Sequence, residues 1–268
     1  MTDILADIRS SDRVTALISA HRGGAEHAPE ATYEAFEHSV TTGAEYVEFD
    51  IRRTSDHALV VYHDAHAGTG AGAGGSRRQV SRLEYAELCD LAGYRIPLVA
   101  DVMQLLAGRA AGHLDLKETG YEDEVIDLAV AILGRENFVA TTLEDSSVAA
   151  IKRSFPGVRT ALSLGRDLRG VPASRWPGIR AGELFPLSRV RACGADWVAV
   201  NYKLARLGVL RACRRSGIGV MVWTVDSDRL IDRFVADRHV DVLITNRPRH
   251  AAARRARLGS LGSLRSRG

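Results

Sequence analysis

Short apolar runs alternate with segments of helical periodicity along most of the chain. The apolar runs, rich in Val, Ile and Leu, predict β-strands at residues 15–20, 46–51, 59–63, 113–116, 138–141, 159–164, 197–200, 220–225 and 240–245. Apolar positions three and four residues apart predict helices at residues 32–40, 101–106, 123–133, 146–155, 204–216 and 227–236. Repeated strand–helix units indicate a parallel sheet covered by helices.

The second and third predicted strands depart from this alternation. They are separated by Thr54-Ser55-Asp56-His57, and such turn residues favour an antiparallel hairpin. The other eight strands match the number in a TIM (β/α)8 barrel. No G-x-G-x-x-G motif follows the first strand, which disfavours a dinucleotide-binding open sheet. We therefore expect an α/β fold, a TIM (β/α)8 barrel, in a single domain over residues 1–250.

Two segments fall outside this pattern. Residues 65–76 are rich in Gly and Ala, which predicts a mobile loop bordering the third strand. Residues 251–268 contain several arginines and no acid, which predicts a basic, disordered tail.

Composition narrows the classes of function. The chain has 268 residues, of which 46% are hydrophobic, enough for one large core. The net charge is only +3 and no basic stripe is interleaved with aromatics, so a nucleic-acid partner is not expected. The cysteines (Cys89, Cys193 and Cys213) are odd in number and lack C-x-x-C spacing, which argues against a disulfide framework and a zinc site.

The start of the chain carries charges and no apolar core, so a secretory signal is not expected. No run reaches about 18 apolar residues, so a transmembrane segment is not expected either. A cytoplasmic location is the resulting expectation.

Three carboxylates stand on predicted strands that are otherwise apolar. Glu48 and Asp50 are two apart and share a face, and Asp115 lies near the end of the strand at residues 113–116. Buried charges are costly unless they are paired or bind a metal. Carboxylate oxygens from two strands suit Mg²⁺ or Ca²⁺, although Glu48 and Asp50 as ion-pair partners of the neighbouring arginines remain an alternative.

Basic groups follow the same strand ends. A turn centred on Asp56 places His63 beside the Glu48 and Asp50 strand, and His21 ends the first strand. Two histidines flanking a metal site suit acid–base catalysis near neutral pH. Arg22 and Lys117 add positive charge, which favours an anionic substrate such as a phosphate ester.

The sequence also resembles the glycerophosphodiester phosphodiesterases, a family of the phospholipase-C-like phosphodiesterase superfamily. The resemblance runs from about residue 18 to residue 248. It is carried by the motifs His21-Arg22-Gly23, Ala28-Pro29-Glu30, Gly43-Ala44-Glu45, Glu48-Phe49-Asp50, Thr54-Ser55-Asp56, Val61-Tyr62-His63-Asp64, Ile96-Pro97-Leu98, Trp223-Thr224-Val225 and Ile244-Thr245-Asn246-Arg247-Pro248.

The resemblance implies metal-dependent hydrolysis of a small-molecule glycerophosphodiester to glycerol 3-phosphate and an alcohol. In that family a substrate hydroxyl attacks phosphorus, and water then opens the cyclic phosphate. By position, the implied roles are His21 and His63 for acid–base catalysis, Glu48, Asp50 and Asp115 for Mg²⁺ or Ca²⁺, and Arg22 and Lys117 for phosphate binding. We interpret Trp223 as a barrel residue that also walls the substrate pocket, and Glu30 as either orienting Arg22 or capping the next helix.

Several positions depart from the family pattern. Ala31 replaces an Asn, Asp115 replaces a Glu, Thr142-Leu143 replaces Ser-Phe, and the Gly/Ala-rich loop replaces an Arg-Thr-Thr segment. An Asp in Asp-x-Lys is similar to related phospholipase D enzymes that act on sphingomyelin or lysophospholipids. Lysophospholipase D or sphingomyelinase D activity, and an inactive phosphate-binding barrel, are therefore the alternatives. The head group, the choice between Mg²⁺ and Ca²⁺ and the oligomeric state are not set by the sequence.

Overall fold

The computed structural model describes residues 15–68 and 77–265, with side chains described as far as residue 258. Its strands are β1 (Leu17–Ala20), β2 (Tyr46–Arg53), β3 (Leu59–Val61), β4 (His66–Ala67), β5 (Arg78–Gln79), β6 (Ala111–Leu116), β7 (Phe138–Thr142), β8 (Arg159–Leu164), β9 (Trp197–Asn201), β10 (Gly219–Trp223) and β11 (Val242–Thr245). The strand order is β1-β11-β10-β9-β8-β7-β6-β2-β3, and β1 also pairs with β2. Eight parallel strands therefore close a barrel, which confirms the predicted TIM barrel.

Strand β3 forms the predicted antiparallel hairpin with β2. Ile51 pairs with Val61, and the Tyr62 N–H donates to the Asp50 carbonyl at 3.0 Å. The paired strand ends at Val61, but its register is the one predicted from a turn centred on Asp56. The hairpin thus directs the chain after β3 back along β2, past Asp50 and towards Glu48.

Helices cover the outside of the barrel. They are α1 (Tyr33–Ser39), α2 (Tyr85–Ala92), α3 (Val99–Leu106), α4 (Glu122–Ile132), α5 (Asp145–Ser154), α6 (Trp176–Leu184), α7 (Leu187–Cys193), α8 (Tyr202–Leu204), α9 (Leu210–Arg215), α10 (Asp228–Val235) and α11 (Pro248–Arg265). The predicted helix at residues 204–216 is interrupted by a π-type turn at Ala205–Val209, where Gly208 has a φ of 99°. Helices α2, α6 and α7 were not predicted from the sequence.

Alternate residues of each strand point into the barrel, and their character changes along its axis. An apolar layer fills the lower interior: Leu17, Tyr46, Ala111, Val139, Ala161, Ala199, Met221, Val242 and Ile244. Two residues further along, the strands carry polar groups such as Ser19, Glu48, His113 and Thr141, all buried. The apolar layer therefore forms a floor beneath a polar chamber at the carboxyl ends of the strands, where TIM barrels place their active sites.

The C-terminal segment differs from its prediction. Helix α11 continues to Arg265, so the prediction of a disordered tail from residue 251 is wrong over the described residues. Arg254 forms ion pairs with Asp232 and, at 2.9 Å, with Asp228, while Arg255 pairs with Glu45 at 2.7 Å. These carboxylates are distant in sequence, so local charge pattern could not reveal that they anchor the helix.

The Gly/Ala-rich loop was predicted over residues 65–76, of which residues 69–76 lie outside the described part of the chain. Residues 66–67 form β4, which pairs with β5. Within the described ranges, no helix combines the length and apolar character needed to cross a bilayer.

Candidate active site

A cavity of about 360 Å³ opens at the carboxyl ends of the barrel strands. Every residue that the sequence singled out for the site contributes to its wall. The lining includes His21, Arg22, Glu48, Asp50, His63, Asp115, Lys117 and Trp223, together with His113, Thr141, Ser163, Gly165 and Asn201. A larger open groove, lined in part by Arg53, Gln79, Glu118 and Tyr121, adjoins it at Lys117.

A tight turn immediately after β1 positions His21, the first catalytic candidate. Arg22 has left-handed backbone angles (φ 50°, ψ 38°), and Gly23 follows with φ 81°. A Cβ on Gly23 would lie 3.0 Å from the Ala35 carbonyl carbon and 3.1 Å from Phe36, so helix α1 leaves no room for a side chain there. Glycine at position 23 is therefore required both by the backbone angle and by the close approach of helix α1.

His21 is held by Asn246 from the turn after β11. Its Nδ1 lies 2.7 Å from Asn246 Oδ1, and Asn246 Nδ2 donates to Asp226 Oδ2 at 2.9 Å. Because the amide nitrogen is used by Asp226, the amide oxygen faces His21, and Nδ1 must be the protonated ring nitrogen. Burial, with the nearby Arg22 charge, lowers the pKa of His21, so its neutral form is favoured and Nε2 is free to accept a proton.

Arg22 links three carboxylates around that turn. Its backbone N–H donates to Glu48 Oε2 at 2.8 Å, its Nη1 donates to Glu30 Oε1 at 2.5 Å, and its Nε lies 2.8 Å from Asp50 Oδ2. Glu30 therefore orients Arg22. Helix α1 is instead capped by Thr32, whose Oγ1 accepts from the Ala35 N–H at 3.2 Å, which decides between the two roles left open for Glu30.

Glu48, Asp50 and Asp115 converge, and one carboxylate oxygen from each lies within 4.8 Å of the other two. Burial, followed by the charges of Asp50 and Asp115, raises the pKa of Glu48 well above its ordinary value. Burial would also raise the pKa of Asp50, but Lys117 and Arg22 outweigh it and hold that pKa below its usual range. The alternative partners of these acids are otherwise engaged: Arg52 pairs with Glu118 at 2.5 Å, and Arg53 with Glu124 at 3.2 Å.

Lys117 lies between two of the three carboxylates. Its Nζ is 2.7 Å from Asp50 Oδ1 and also contacts Asp115 Oδ2. Burial alone would lower its pKa, but the surrounding Asp115, Asp50 and Glu48 raise it, so the ammonium stays charged. Thr141 Oγ1 donates to the other oxygen of Asp115 at 2.7 Å and fixes that carboxylate from β7.

The donor set fits a hard divalent cation. All three groups are carboxylates, and within the described residues Asp50 Oδ2 accepts no aligned hydrogen bond although it is buried. Arg22 and Lys117 do not fully compensate the three carboxylates, because the pKa of Glu48 is still raised, and a metal ion would stabilise its charged form. Oxygen donors at this separation suit Mg²⁺ or Ca²⁺ better than a softer metal.

His63 borders the cavity just beyond β3. Its side chain is about half exposed, and its Nδ1 lies 2.8 Å from Asp64 Oδ1. Its backbone carbonyl accepts two hydrogen bonds from the buried Arg52 guanidinium, at 3.0 and 2.9 Å. These two hydrogen bonds from Arg52 hold the His63 backbone in place, although His63 lies outside a regular strand.

Trp223 forms part of the opposite wall. Its Nε1 donates to the Ala199 carbonyl at 3.0 Å, which fixes the indole against β9. A Cβ on Gly165 would lie 3.2 Å from the indole and 2.8 Å from Asn201 Cβ. The absence of a side chain at Gly165 therefore leaves room for the Trp223 indole in the cavity wall.

Several residues that line or support the cavity were missed from the sequence, among them His113, Thr141 and Asn246. His113 lies inside the barrel, with Nδ1 3.1 Å from Ser19 Oγ and Nε2 3.2 Å from Thr141 Oγ1. The period-2 pattern of β6 offered a signal, because His113 shares a face with Asp115. Asn246 lay within a recognised motif, but its partner His21 is 225 residues away in sequence.

Comparison with known proteins agrees with this geometry. Residues 21–152 match the profile of the glycerophosphoryl diester phosphodiesterase family. A glycerophosphodiester phosphodiesterase of Caldanaerobacter subterraneus is 23% identical over 245 residues, covering 87% of this chain and 94% of that protein. Lysophospholipase D GDPD1 of Rattus norvegicus is 33% identical over 112 residues, which cover 36% of this chain and 35% of that enzyme.

A solved structure extends the comparison to the whole fold. An Oleispira antarctica phosphodiesterase in complex with its product sn-glycerol-3-phosphate superposes with a TM-score of 0.69 at 17% identity, covering 92% of this chain and 99% of that one. The matched profile spans the His21 turn, the three carboxylates and His63, so this part of the chain is similar to the glycerophosphoryl diester phosphodiesterase family.

Proposed function

We propose that this protein is a divalent-metal-dependent phosphodiesterase that hydrolyses glycerophosphodiesters to glycerol 3-phosphate and an alcohol. The observation that carries the proposal is the placement of two histidines on the wall of one cavity with three convergent carboxylates and two cations. A phosphate-binding module needs the cations but has no use for two acid–base groups. The relatives' activities and the product held by the Oleispira antarctica protein agree with this reaction class.

His21 is proposed as the general base. Its pKa is lowered by burial, and Asn246 keeps the proton on Nδ1, so Nε2 offers a lone pair. In this assignment Nε2 takes the proton from the substrate hydroxyl that attacks phosphorus. Such a base is expected to contribute about 10²–10⁴ in rate.

His63 is proposed as the general acid. It borders the same cavity and is reached by solvent, and Asp64 holds its Nδ1. It donates a proton to the leaving alcohol oxygen as the phosphorus–oxygen bond breaks. The two histidines exchange roles when water opens the cyclic phosphate.

Arg22 and Lys117 are proposed to bind the phosphoryl oxygens, with Trp223 forming the wall against the organic part of the substrate. Both cations already face the carboxylate cluster, so an anionic phosphate there meets positive charge without rearrangement. Glu48, Asp50 and Asp115 would hold Mg²⁺ or Ca²⁺, which when bound supplies Lewis-acid stabilisation of the charge on phosphorus.

The test is release of glycerol 3-phosphate from a panel of glycerophosphodiesters with Mg²⁺, Ca²⁺ or EDTA. Wild-type turnover that EDTA abolishes and that falls at least about 10²-fold in His21→Ala and in His63→Ala supports the proposal. The matched control is His66→Ala, which removes an exposed histidine close to His63 in sequence. Wild-type rates in both active-site variants would refute the acid–base assignment.

A second candidate, lysophospholipase D activity, is favoured by the 33% identity to the rat enzyme over 112 residues. The same variants and metals assayed on lysophospholipid micelles distinguish it. If the protein hydrolyses lysophospholipid micelles but no glycerophosphodiester, the same catalytic roles would apply to a lysophospholipid substrate. No turnover of either would leave an inactive phosphate-binding barrel.

A further inference from the structure

The rim of the barrel beside the cavity carries an apolar surface without a partner. In the described part of the chain, four large apolar side chains are exposed, and three of them lie on the loops after β8 and β9: Trp176 (44%), Phe185 (76%) and Leu207 (66%). Single exposed apolar residues are ordinary, but their concentration on adjoining loops is not. We name the segments at residues 166–186 and 201–209 the basic–apolar rim.

Helix α6 within this rim lacks the polar outer face that a surface helix normally presents. Its sequence, Trp-Pro-Gly-Ile-Arg-Ala-Gly-Glu-Leu, contains two charged residues, Arg180 and Glu183, and these pair with each other at 2.5 Å. Glu183 is buried, and Arg180, which is partly exposed, is the one charged side chain of the helix that reaches solvent. Trp176 and Phe185 lie at opposite ends of the helix, about 13 Å apart along its axis.

The rim is firmly joined to the active-site wall. The buried Glu183 carboxylate accepts hydrogen bonds from the Gly165 and Arg166 N–H groups, at 2.9 and 2.7 Å. Arg166 in turn pairs with Glu144 on the far side of the loop at 2.6 Å. Since Gly165 lines the cavity, the apolar surface has a fixed position relative to the site.

Positive charge surrounds the apolar side chains. The rim contains six Lys and Arg and two Asp and Glu, a net charge of +4, whereas the whole chain carries +3. Within the described residues, Arg175, Lys203 and Arg206 are exposed and form no ion pair. Aromatic and aliphatic side chains flanked by Arg and Lys are the composition that binds at the surface of anionic membranes.

We propose that the basic–apolar rim docks the protein onto anionic lipid surfaces, with the mouth of the active-site cavity beside the membrane. A second copy of the chain fits less well, because a two-fold interface would bring this excess of positive charge against itself. The proposal goes beyond the catalytic assignment, since docking requires no turnover.

The first experiment is co-sedimentation of the full chain, in EDTA, with vesicles of phosphatidylcholine that contain or lack phosphatidylglycerol. We expect binding to the anionic vesicles, weaker binding at about 1 M salt, and about a ten-fold lower partition coefficient for Phe185→Ser/Leu207→Ser. The matched control is Tyr94→Ser, which changes the fourth exposed apolar residue and is expected to bind as wild type. Thermal unfolding of each variant verifies that the fold is intact.

A pair of charge reversals tests independently whether the basic–apolar rim is the surface that binds lipid. Arg175→Glu/Arg206→Glu is expected to lose anionic binding, whereas Arg257→Glu on α11, the other basic segment, is expected to retain it. Wild-type protein that stays in the supernatant overturns the proposal, as does equal loss of binding in the rim and control variants. If sedimentation equilibrium instead shows a dimer that Phe185→Ser/Leu207→Ser dissociates, with no vesicle binding, the surface is a self-association interface and lipid docking is wrong.

Discussion

The backbone N–H of Arg22 donates a 2.8 Å hydrogen bond to the Glu48 carboxylate, while the Arg22 guanidinium faces Asp50 on the same strand. This relationship requires the left-handed backbone at Arg22, so the turn after β1 and the carboxylates of β2 form one unit. The unit brings a catalytic candidate, a phosphate-binding candidate and two candidate metal ligands together at the seam where the barrel closes between β1 and β2.

Removing the Lys117 charge is expected to strengthen metal binding while it lowers activity. Lys117 neutralises Asp50 and Asp115, so Lys117→Met leaves three carboxylates facing one cation and should tighten divalent-metal binding about ten-fold. The same change removes a phosphate contact and should lower kcat/KM at least about 10²-fold. Isothermal titration with Mg²⁺ or Ca²⁺ measures the first effect and diester turnover the second. Asp115→Asn is the matched control, with weaker metal binding expected, and weaker binding in Lys117→Met would contradict this account.

The pH profile of turnover is expected to respond to Asn246. Burial lowers the pKa of His21, and the Asn246 hydrogen bond partly raises it again, so Asn246→Leu should lower that pKa further. A general base is active when neutral, and its rate falls as the pH drops through its pKa. The acid limb of kcat/KM should therefore move to lower pH, while kcat falls because the ring loses its orienting partner. An acid limb that moves to higher pH would exclude His21 as the base.

Glu30 and Thr32 are expected to affect different properties. Thr32 caps α1, so Thr32→Ala should lower the free energy of unfolding by about 1 kcal/mol and leave turnover nearly unchanged. Glu30 holds Arg22, so Glu30→Ala should raise KM, with little loss of stability because its carboxylate is partly exposed. Urea unfolding and steady-state kinetics on both variants provide the comparison. Reversed effects would return Glu30 to a capping role.

Much of the site was predictable because its residues lie on strand ends and follow a period of two. Glu48 and Asp50 share a face of β2, and the turn at Asp56 fixes the hairpin register that leads to His63. What escaped prediction depends on contacts between distant segments. Asn246 contacts His21 because β11 pairs with β1 when the barrel closes, and Arg255 anchors α11 through Glu45, 210 residues earlier. Helix α6 was missed because its apolar outer face has no helical periodicity of polar residues.

His113 is expected to make stability depend on pH. Burial, partly opposed by the Asp115 charge, lowers its pKa from an ordinary value of 6.5 to about 4. The unfolded chain therefore takes up a proton before the folded chain does, and stability is lost as the pH falls from about 6.5 towards 4. Between pH 7 and pH 5 this histidine should cost roughly 2 kcal/mol of unfolding free energy. Urea unfolding of the metal-free protein at both pH values, with His113→Gln for comparison, measures the difference. The titration of the carboxylates is common to both proteins and cancels in the comparison. The variant should therefore lose less stability than the wild type between pH 7 and pH 5. Equal losses would show that His113 is protonated equally in the folded and unfolded chains.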